Sequence, residues 1–443
     1  MSGKLALLGG PRAVRGDHAV QKWPPVTPAD RDAVVSTLDQ GELAYYGRDG
    51  WVRELEDKFA RYHDSGFALA VDSGTQALHS AFFGLGFGPG DEVLVPTYTF
   101  VTTVTPLLQL GVTPRLCDCD PETGNILPAE VDGKATSRTR GVVVTHMWGH
   151  PCEMDELTAI ARARDLRLVE DCSHAHGARY RDKIVGTFSD AACFSLQAKK
   201  IVTGGTGGIM ITSDQECYER AVLLGHYRKR STDSVTSSTY RKFAPTGLGL
   251  NYRMHPLAAA LATSQFDRLD EIISARTSRH DYLSRCLAEV GGVTPPVTRD
   301  HVTRGAFHGY KPFFAAAECP GVPKSLYVEA LRAEGASVEM PGSTPLHNSA
   351  LFTDMDADLF HYGTGRCGQR GTPKRLCDSR TDDRFPNSES FLSRVLDHTT
   401  FTYEPFALID QHVEAFSKIY DHQDELRDLA ARKQGQQPRQ SPG

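Results

Sequence analysis

The stretch FSLQAKKIVTGGTGG, residues 194–208, decides the fold of this chain. The apolar residues up to Phe194 have the pattern of a strand, and Ser195 then offers a hydroxyl at the strand end. Lys200 follows five residues after Ser195, and a glycine-rich turn leads into the next apolar run, residues 208–211. Open α/β sheets bind their ligands at the carboxyl ends of their strands, so this pattern predicts a ligand site.

Short apolar runs alternate with amphipathic stretches around this segment. Apolar residues at helical spacing mark residues 50–63 and 76–85. The strand-like runs are residues 67–71, 92–96, 113–117, 141–145, 166–169, 191–194 and 208–211. Short apolar strands separated by helical patterns predict βαβ units on a mostly parallel sheet that is buried on both faces. The predicted fold class is therefore α/β.

The pattern changes after about residue 268. A charged helical stretch, residues 268–290, precedes shorter mixed segments. Residues 354–386 are rich in Gly, Arg and Asp, which predicts a long exposed loop that is either functional or disordered. We predict an N-terminal arm at 1–26, a large domain with the ligand-site motifs at 27–267, a small C-terminal domain at 268–432 and a flexible tail at 433–443.

Composition and charge restrict the class of partner. The 443 residues are 40% hydrophobic and 23% charged, as expected of a globular protein with a large core. A net charge of −6 offers no basic surface for nucleic acid, so we expect small-molecule partners. No apolar run approaches the roughly 20 residues that span a bilayer, and the apolar patch at 5–10 is too short for a signal peptide. The ten cysteines contain no CxxC pair, so we expect a reduced, cytoplasmic enzyme without structural zinc.

Three further motifs follow strands of the predicted sheet. In VDSGTQAL, residues 71–78, a small-residue turn opens a helix whose free N–H groups can bind a phosphate. VEDCSHAHG, residues 169–177, places an acidic pair at a strand end, and VPTYTFV, residues 95–101, places aromatics after another strand. A pyridoxal-phosphate site needs a lysine, an acid for the pyridine nitrogen, an aromatic over the ring, phosphate donors and a group beside the phenolic oxygen. Each of these has a candidate here.

In their order and spacing, these motifs resemble the DegT/DnrJ/EryC1/StrS family of pyridoxal-phosphate-dependent aminotransferases, which act on keto sugars and keto cyclitols. The resemblance covers roughly residues 27–419 and is strongest between residues 67 and 256. It implies the fold-type I aminotransferase architecture, a mostly parallel seven-stranded sheet flanked by helices, with a smaller C-terminal α+β domain. It also implies a homodimer with its active sites at the subunit interface.

The resemblance implies a role for each matched residue. Lys200 matches the catalytic lysine that holds pyridoxal 5'-phosphate, and Asp171 matches the acid that keeps its pyridine nitrogen protonated. Phe100 matches the aromatic that stacks on the ring, with Tyr98 as the fallback, and His174 lies beside the position of the phenolic oxygen. The phosphate ligands are matched by Gly74, Thr75, Ser195 and, reaching the neighbouring subunit, Asn251 in LGLNYRMHP.

The implied activity is transfer of an amino group from glutamine or glutamate to a keto sugar or keto cyclitol. The opening run LALLGGPRAV, residues 5–14, resembles the start of inosose and related cyclitol aminotransferases, which favours antibiotic-type (aminoglycoside or aminocyclitol) secondary metabolism. One departure bears on donor or substrate preference: Thr206 stands between the glycines where the family usually has Glu.

Several alternatives remain open from the sequence. A pyridoxal-phosphate sugar dehydratase of the same family would carry histidine in place of Lys200, and a non-catalytic cofactor-binding regulator would need no donor reaction. The pairs His174–His176 and His146–His150 lack a third ligand at metal-site spacing, so no metal is expected. The residues that could either line the substrate pocket or only pack are His226, Tyr227, Arg228, Arg253 and His255.

Overall fold

The computed structural model describes residues 4–16, 20–353 and 384–435. Its strands, in chain order, are β1 (Phe67–Val71), β2 (Glu92–Pro96), β3 (Thr113–Cys117), β4 (Thr139–Thr145), β5 (Arg167–Asp171), β6 (Arg179–Tyr180), β7 (Lys183–Ile184), β8 (Ala191–Ser195), β9 (Gly208–Thr212), β10 (Val293–Thr294), β11 (Val302–Thr303), β12 (Phe313–Phe314), β13 (Val338–Glu339) and β14 (Asp397–His398).

The α-helices of the described residues alternate with these strands in the first part of the chain and dominate the second. They are α1 (Pro28–Asp39), α2 (Gly50–Tyr62), α3 (Gly74–Gly84), α4 (Thr105–Gln109), α5 (Pro128–Lys134), α6 (Met154–Ala163), α7 (Gln215–Gly225), α8 (Lys229–Ser234), α9 (Pro256–Phe266), α10 (Leu269–Leu287), α11 (Lys324–Ala333), α12 (Ala350–Thr353), α13 (Pro386–Arg394), α14 (Phe406–Asp421) and α15 (Gln423–Gly435). No helix of the described residues has both the length and the apolar character that crossing a membrane requires.

The central sheet has seven strands in the order β1-β9-β8-β5-β4-β2-β3. Strand β9 runs antiparallel to both of its neighbours, and the other adjacent pairs are parallel. This confirms the predicted α/β fold with a mostly parallel sheet. The apolar runs of Ala, Leu and Val in these strands are continuous because both faces of the sheet are covered.

Alternate residues of a strand enter cores on opposite faces of the sheet. On β1, Leu69 and Val71 pack in one cluster with residues of α3 and α7, whereas Ala68 and Ala70 pack in another with residues of α2 and α9. The chain order then brings the carboxyl ends of β2, β4, β5 and β8 to one edge of the sheet. Strand β1 runs in the same direction as β8, so the motifs that follow β1, β2, β5 and β8 all start at that edge.

A separate apolar cluster joins α10, α11 and α14 with the short strands β10, β12 and β13. Residues from the N-terminus take part in this cluster, because Leu5 and Ala13 are buried in it. Glu334, buried at the end of α11, accepts hydrogen bonds from the amides of Ala6 and Ala13 and pairs with Lys418. The predicted domain boundaries and the tail at 433–443 remain predictions.

The predicted loop at 354–386 falls mostly outside the described residues, which resume at residue 384. Its last residues enter α13, which begins at Pro386, and Phe385 is buried in the cluster on the α3 side of the sheet.

The fold generates a stability prediction at Glu56, a fully buried carboxylate on α2. It accepts hydrogen bonds from the amide of Ala70 at 2.8 Å, from Arg230 at 2.9 and 3.1 Å, and from Arg48 at 2.7 Å. Glu56→Gln leaves the buried Arg230 guanidinium uncompensated, so we expect a loss of about 3 kcal/mol in the free energy of unfolding. Urea denaturation followed by circular dichroism measures it.

The matched control is Asp57→Asn, one position along α2. Asp57 also pairs with Arg48, but its side chain is 35% exposed, so we expect a loss below about 1 kcal/mol. Equal urea midpoints for the two variants would show that the buried pair contributes no more to the free energy of unfolding than the exposed pair does.

Candidate active site

Gly74 and Ser195 lie directly against each other at the carboxyl edge of the sheet. Gly74 is the first residue of α3, and a Cβ at this position would lie 2.8 Å from the Cβ of Ser195. Ser73 caps the helix, with its hydroxyl accepting an amide of the first turn, and it forms a backbone bridge with Gly207. Thr75 lies half-buried in the same turn. Free helix N–H groups next to two hydroxyls form a site for a phosphate group.

Asp171 is held in a fixed orientation at the end of β5. One carboxylate oxygen accepts a hydrogen bond from the Thr103 hydroxyl at 2.8 Å, and the other accepts the Ser173 amide at 3.0 Å. Thr103 is in turn bonded to Thr99, which is bonded to Thr145 on β4. Each carboxylate oxygen keeps a further lone pair, so Asp171 can accept a hydrogen bond from a protonated ring nitrogen.

The other member of the acidic pair, Glu170, has a structural role. Its carboxylate is fully buried and accepts hydrogen bonds from His146, from the amides of Gly186 and Phe188, and from the Ser189 hydroxyl. Burial acts to raise the pKa of Glu170, but these hydrogen bonds together lower it below its usual value. The two acids of the motif therefore have different roles: Glu170 joins the strand to its neighbours through hydrogen bonds, and Asp171 is available for a ligand.

Lys200 has its amine enclosed by protein while part of its side chain stays accessible. Its Nζ lies 3.3 Å from Nε2 of His308, and its backbone carbonyl accepts a hydrogen bond from the Trp23 indole at 3.0 Å. Burial lowers the pKa of Lys200 to about 8, against the opposing effect of the Asp171 charge. Lys199, by contrast, is exposed. The structure thus distinguishes the two lysines of the motif in favour of Lys200.

His174 lies in a stack of three rings beside Lys200. Its ring centroid is 4.2 Å from that of His308 and 5.1 Å from that of Trp148. Burial, followed by the charges of Lys200 and Lys311, lowers the pKa of His174 well below its ordinary value, so the ring is neutral at pH 7. Its Nδ1 is buried and has no partner within the described part of the chain.

Phe100, Tyr98 and Asn251 stand apart from this group. Phe100 is 61% exposed and immediately precedes the short 3-10 helix that carries Thr103. Tyr98 is buried in the core, where its ring packs against that of Phe391. Asn251 is exposed and accepts a hydrogen bond from Arg253 at 3.0 Å. The structure therefore brings Gly74, Thr75, Asp171, His174, Ser195 and Lys200 to one edge and leaves Phe100 and Asn251 on the surface.

Comparison with known proteins agrees with this geometry. Residues 26–361 match the model of the DegT/DnrJ/EryC1/StrS aminotransferase family. The chain belongs to this family. A Streptomyces griseus protein named L-glutamine:scyllo-inosose aminotransferase is 30% identical over 433 residues, covering 95% of this chain and 99% of the relative.

Two further comparisons cover nearly the whole chain. A Streptoalloteichus tenebrarius protein, provisionally named an L-glutamine:3-amino-2,3-dideoxy-scyllo-inosose aminotransferase, is 33% identical over 436 residues, covering 96% of this chain and all of the relative. The crystal structure of DesI in the presence of its TDP-sugar product matches with a TM-score of 0.75 at 27% identity, covering 97% of this chain and 99% of that one.

Four residues of the aminotransferase site escaped the sequence motifs: Trp23, Thr103, Trp148 and His308. Thr103 follows Phe100 closely enough that a search for hydroxyls after the aromatic motif would find it. Trp23 and His308 carry no local signal, because each lies in a loop and contacts Lys200 from 177 or 108 residues away along the chain. Trp148 lies in a short 3-10 helix soon after β4, but its ring contact is with the distant His308.

The residues that could line the substrate pocket have different environments in the structure. His255 accepts the Leu257 amide and caps α9, which is a structural role. Arg253 packs between the rings of Tyr46 and Tyr227 on the accessible side of the site. His226 is buried, and neither of its ring nitrogens has a partner among the described residues.

A metal is not needed to account for the polar cluster under the site. Ligand atoms of His146, Glu170 and Cys172 lie within 4.8 Å of one another in the described residues. Both oxygens of Glu170 already accept protein hydrogen bonds, however, and His146 uses its Nδ1 to accept the Cys152 amide. These partners satisfy the cluster as a hydrogen-bonded support for β5.

The lowered pKa of Lys200 can be measured directly. A pKa of about 8 leaves about a tenth of the amine uncharged at pH 7, against roughly three in ten thousand for a lysine of pKa 10.5. In the apoprotein we expect acetylation of Lys200 by trace acetic anhydride to rise about tenfold per pH unit and to level off above pH 8. Peptide mass spectrometry provides the rates, with exposed Lys199 as the internal reference; a midpoint near 10.5 would contradict the prediction.

Proposed function

We propose that this aminotransferase binds pyridoxal 5'-phosphate on Lys200 and transfers the amino group of L-glutamine to a keto cyclitol, with glutamate and keto sugars as the nearest alternatives. The observation that carries the proposal is the enclosed, readily deprotonated amine of Lys200 at the same sheet edge as Asp171 and the Gly74–Ser195 contact. The relatives named as glutamine:inosose aminotransferases support the donor and the acceptor class, since each aligns over nearly the whole chain.

The residues present fit this cofactor in shape and chemistry. The contact between Gly74 and Ser195 leaves amides and hydroxyls for a phosphate group where a larger side chain would collide. The buried Nδ1 of His174 lacks a protein partner in the described residues, so it is free to bond a polar group beside the ring. Asp171 provides a fixed carboxylate for the pyridine nitrogen.

When bound, pyridoxal phosphate supplies an electron sink that makes the Cα–H bond of the amino donor acidic. Asp171 holds the proton on the pyridine nitrogen by its negative charge. Lys200, as a free amine, would remove the proton from the donor Cα with its Nζ. Its pKa near 8 suits this role, because a general base works best when its pKa lies close to the working pH.

We further propose that the enzyme acts as a homodimer in the cytoplasm. Phe100 and Asn251 are exposed, and so are the apolar side chains of Phe243, Leu248 and Leu250, which lie close to Asn251 in the sequence. A second subunit over this surface would bury these groups and complete the site. The described cysteines are mostly buried, where a thiol behaves as a small hydrophobic group, as in proteins of a reducing compartment.

The donor half-reaction tests the proposal. We expect the purified protein, loaded with pyridoxal phosphate, to show a yellow absorption band that L-glutamine bleaches to the pyridoxamine form. Lys200→Ala should show neither the band nor turnover with a keto cyclitol. A protein that loads but is not bleached by glutamine or glutamate would contradict aminotransfer, and loss of a substrate hydroxyl without donor would indicate a dehydratase.

The phosphate site is tested separately at Gly74. Gly74→Ala places a methyl group 2.8 Å from the Ser195 Cβ, so we expect the Kd for pyridoxal phosphate to rise at least tenfold, or about 1.4 kcal/mol. Gly88→Ala is the matched control, because a Cβ there meets nothing within 4 Å. Fluorescence titration of both apoproteins measures the Kd. An unchanged Kd for Gly74→Ala would show that the phosphate group does not bind at this edge of the sheet.

A further inference from the structure

The side chain of His308 contacts the amine of Lys200, and it reaches the site from the loop between β11 and β12. Its Nε2 lies 3.3 Å from Nζ. We propose that His308 is a positioning residue for the free amine: its neutral Nε2 accepts a hydrogen bond from Nζ and so sets the direction of the amine lone pair. The inference rests on the proposed function, in which Lys200 acts as a free base.

The backbone before His308 lies in close contact with the segment that follows β5. Gly305 has a positive φ of 58°, and a Cβ there would lie 2.6 Å from the backbone oxygen of His176. Phe307 also has a positive φ, 41°, which is a strained conformation for a bulky residue. Arg276 donates a hydrogen bond to the carbonyl of Ala306 at 3.0 Å and holds the loop in place. Strain that the surroundings maintain is typical of a functional position.

The ring of His308 is held as firmly as its backbone. It stacks on His174 at 4.2 Å, and Trp148 lies nearly parallel to it at 6.3 Å. Trp148 itself has a positive φ of 55° and carries the Lys311 ammonium over its ring at 3.9 Å. A ring fixed in this way presents Nε2 to Lys200 in one direction.

The charges around His308 keep it a hydrogen-bond acceptor. The groups that face it are His174, Lys200, Arg276 and Lys311. Burial first, and then these neighbours, hold the pKa of His308 well below its ordinary value. A neutral imidazole surrounded by cations does not remove the proton of Lys200. It accepts a hydrogen bond from either the ammonium or the amine form, and an amine that donates one N–H to Nε2 has its lone pair aimed away from His308.

A role in packing and a role in positioning predict different results for two variants. His308→Phe keeps an aromatic ring in the stack but removes the acceptor, whereas His308→Gln keeps an acceptor but loses the ring. An acceptor stabilises the ammonium form of Lys200, so its loss lowers the pKa of the amine.

The test is the pH dependence of Lys200 acetylation in the full-length apoprotein. We expect the pKa of Lys200 to fall by about one unit in His308→Phe and to change by less than about 0.3 units in His308→Gln. The rate of pyridoxal phosphate capture on the high-pH plateau, where the amine is neutral, should fall about tenfold in the Phe variant only. His301→Phe is the matched control, since His301 lies against Tyr180 and pairs with Glu153.

An unchanged pKa and plateau rate in His308→Phe would overturn the proposal, and so would equal losses in the Phe and Gln variants. If thermal melting shows that the Phe variant is unfolded, the comparison of His308→Gln with His308→Leu decides the same question. Acetylation needs no cofactor. A wild-type protein that fails to capture pyridoxal phosphate therefore contradicts the proposed function, while the pKa comparison still decides the role of His308.

Discussion

Enclosing a lysine amine in protein carries a cost in free energy, because the ammonium loses its hydration. This chain lessens that cost by allowing Lys200 to lose its proton easily and by placing two polar side chains around it, Asp171 and His308. The order of the strands in the sheet brings the lysine and the acid together. Strands β5 and β8 are neighbours, so the acid at the end of one and the lysine after the other face a common space.

The supports of this arrangement lie beneath it. The threonine chain from Thr145 through Thr99 to Thr103 fixes Asp171, and Glu170 on the opposite side of β5 is bonded by four donors. Thr206 stands in the glycine turn where the family usually has Glu. Its hydroxyl donates a hydrogen bond to the carbonyl of Asp72, just before α3. This hydrogen bond joins the turn after Lys200 to the segment before α3. An ionised glutamate only accepts hydrogen bonds, so a glutamate at this position could not make the same contact with a carbonyl.

The sheet and half of the site were predictable because their signals are local. Seven apolar runs appeared as seven strands, and Gly74, Asp171, Ser195 and Lys200 follow directly from strand ends. His308 lies 108 residues from Lys200, and its approach depends on a close backbone contact at Gly305 that no spacing rule encodes. Phe100 and Asn251 were predicted from a family pattern, and in a single subunit they lie exposed.

The N-terminal segment packs on the apolar cluster that α10, α11 and α14 form. Ala6 bonds to Glu334, 328 residues later, and the carbonyl of Pro11 accepts a hydrogen bond from Lys418. During synthesis the first residues leave the ribosome long before their partners exist. At about 5–20 residues per second they wait roughly 15 to 65 seconds for Glu334. The large sheet can form within that interval, so the apolar cluster around α10, α11 and α14 is completed last, and Leu5 stays without its apolar neighbours until then.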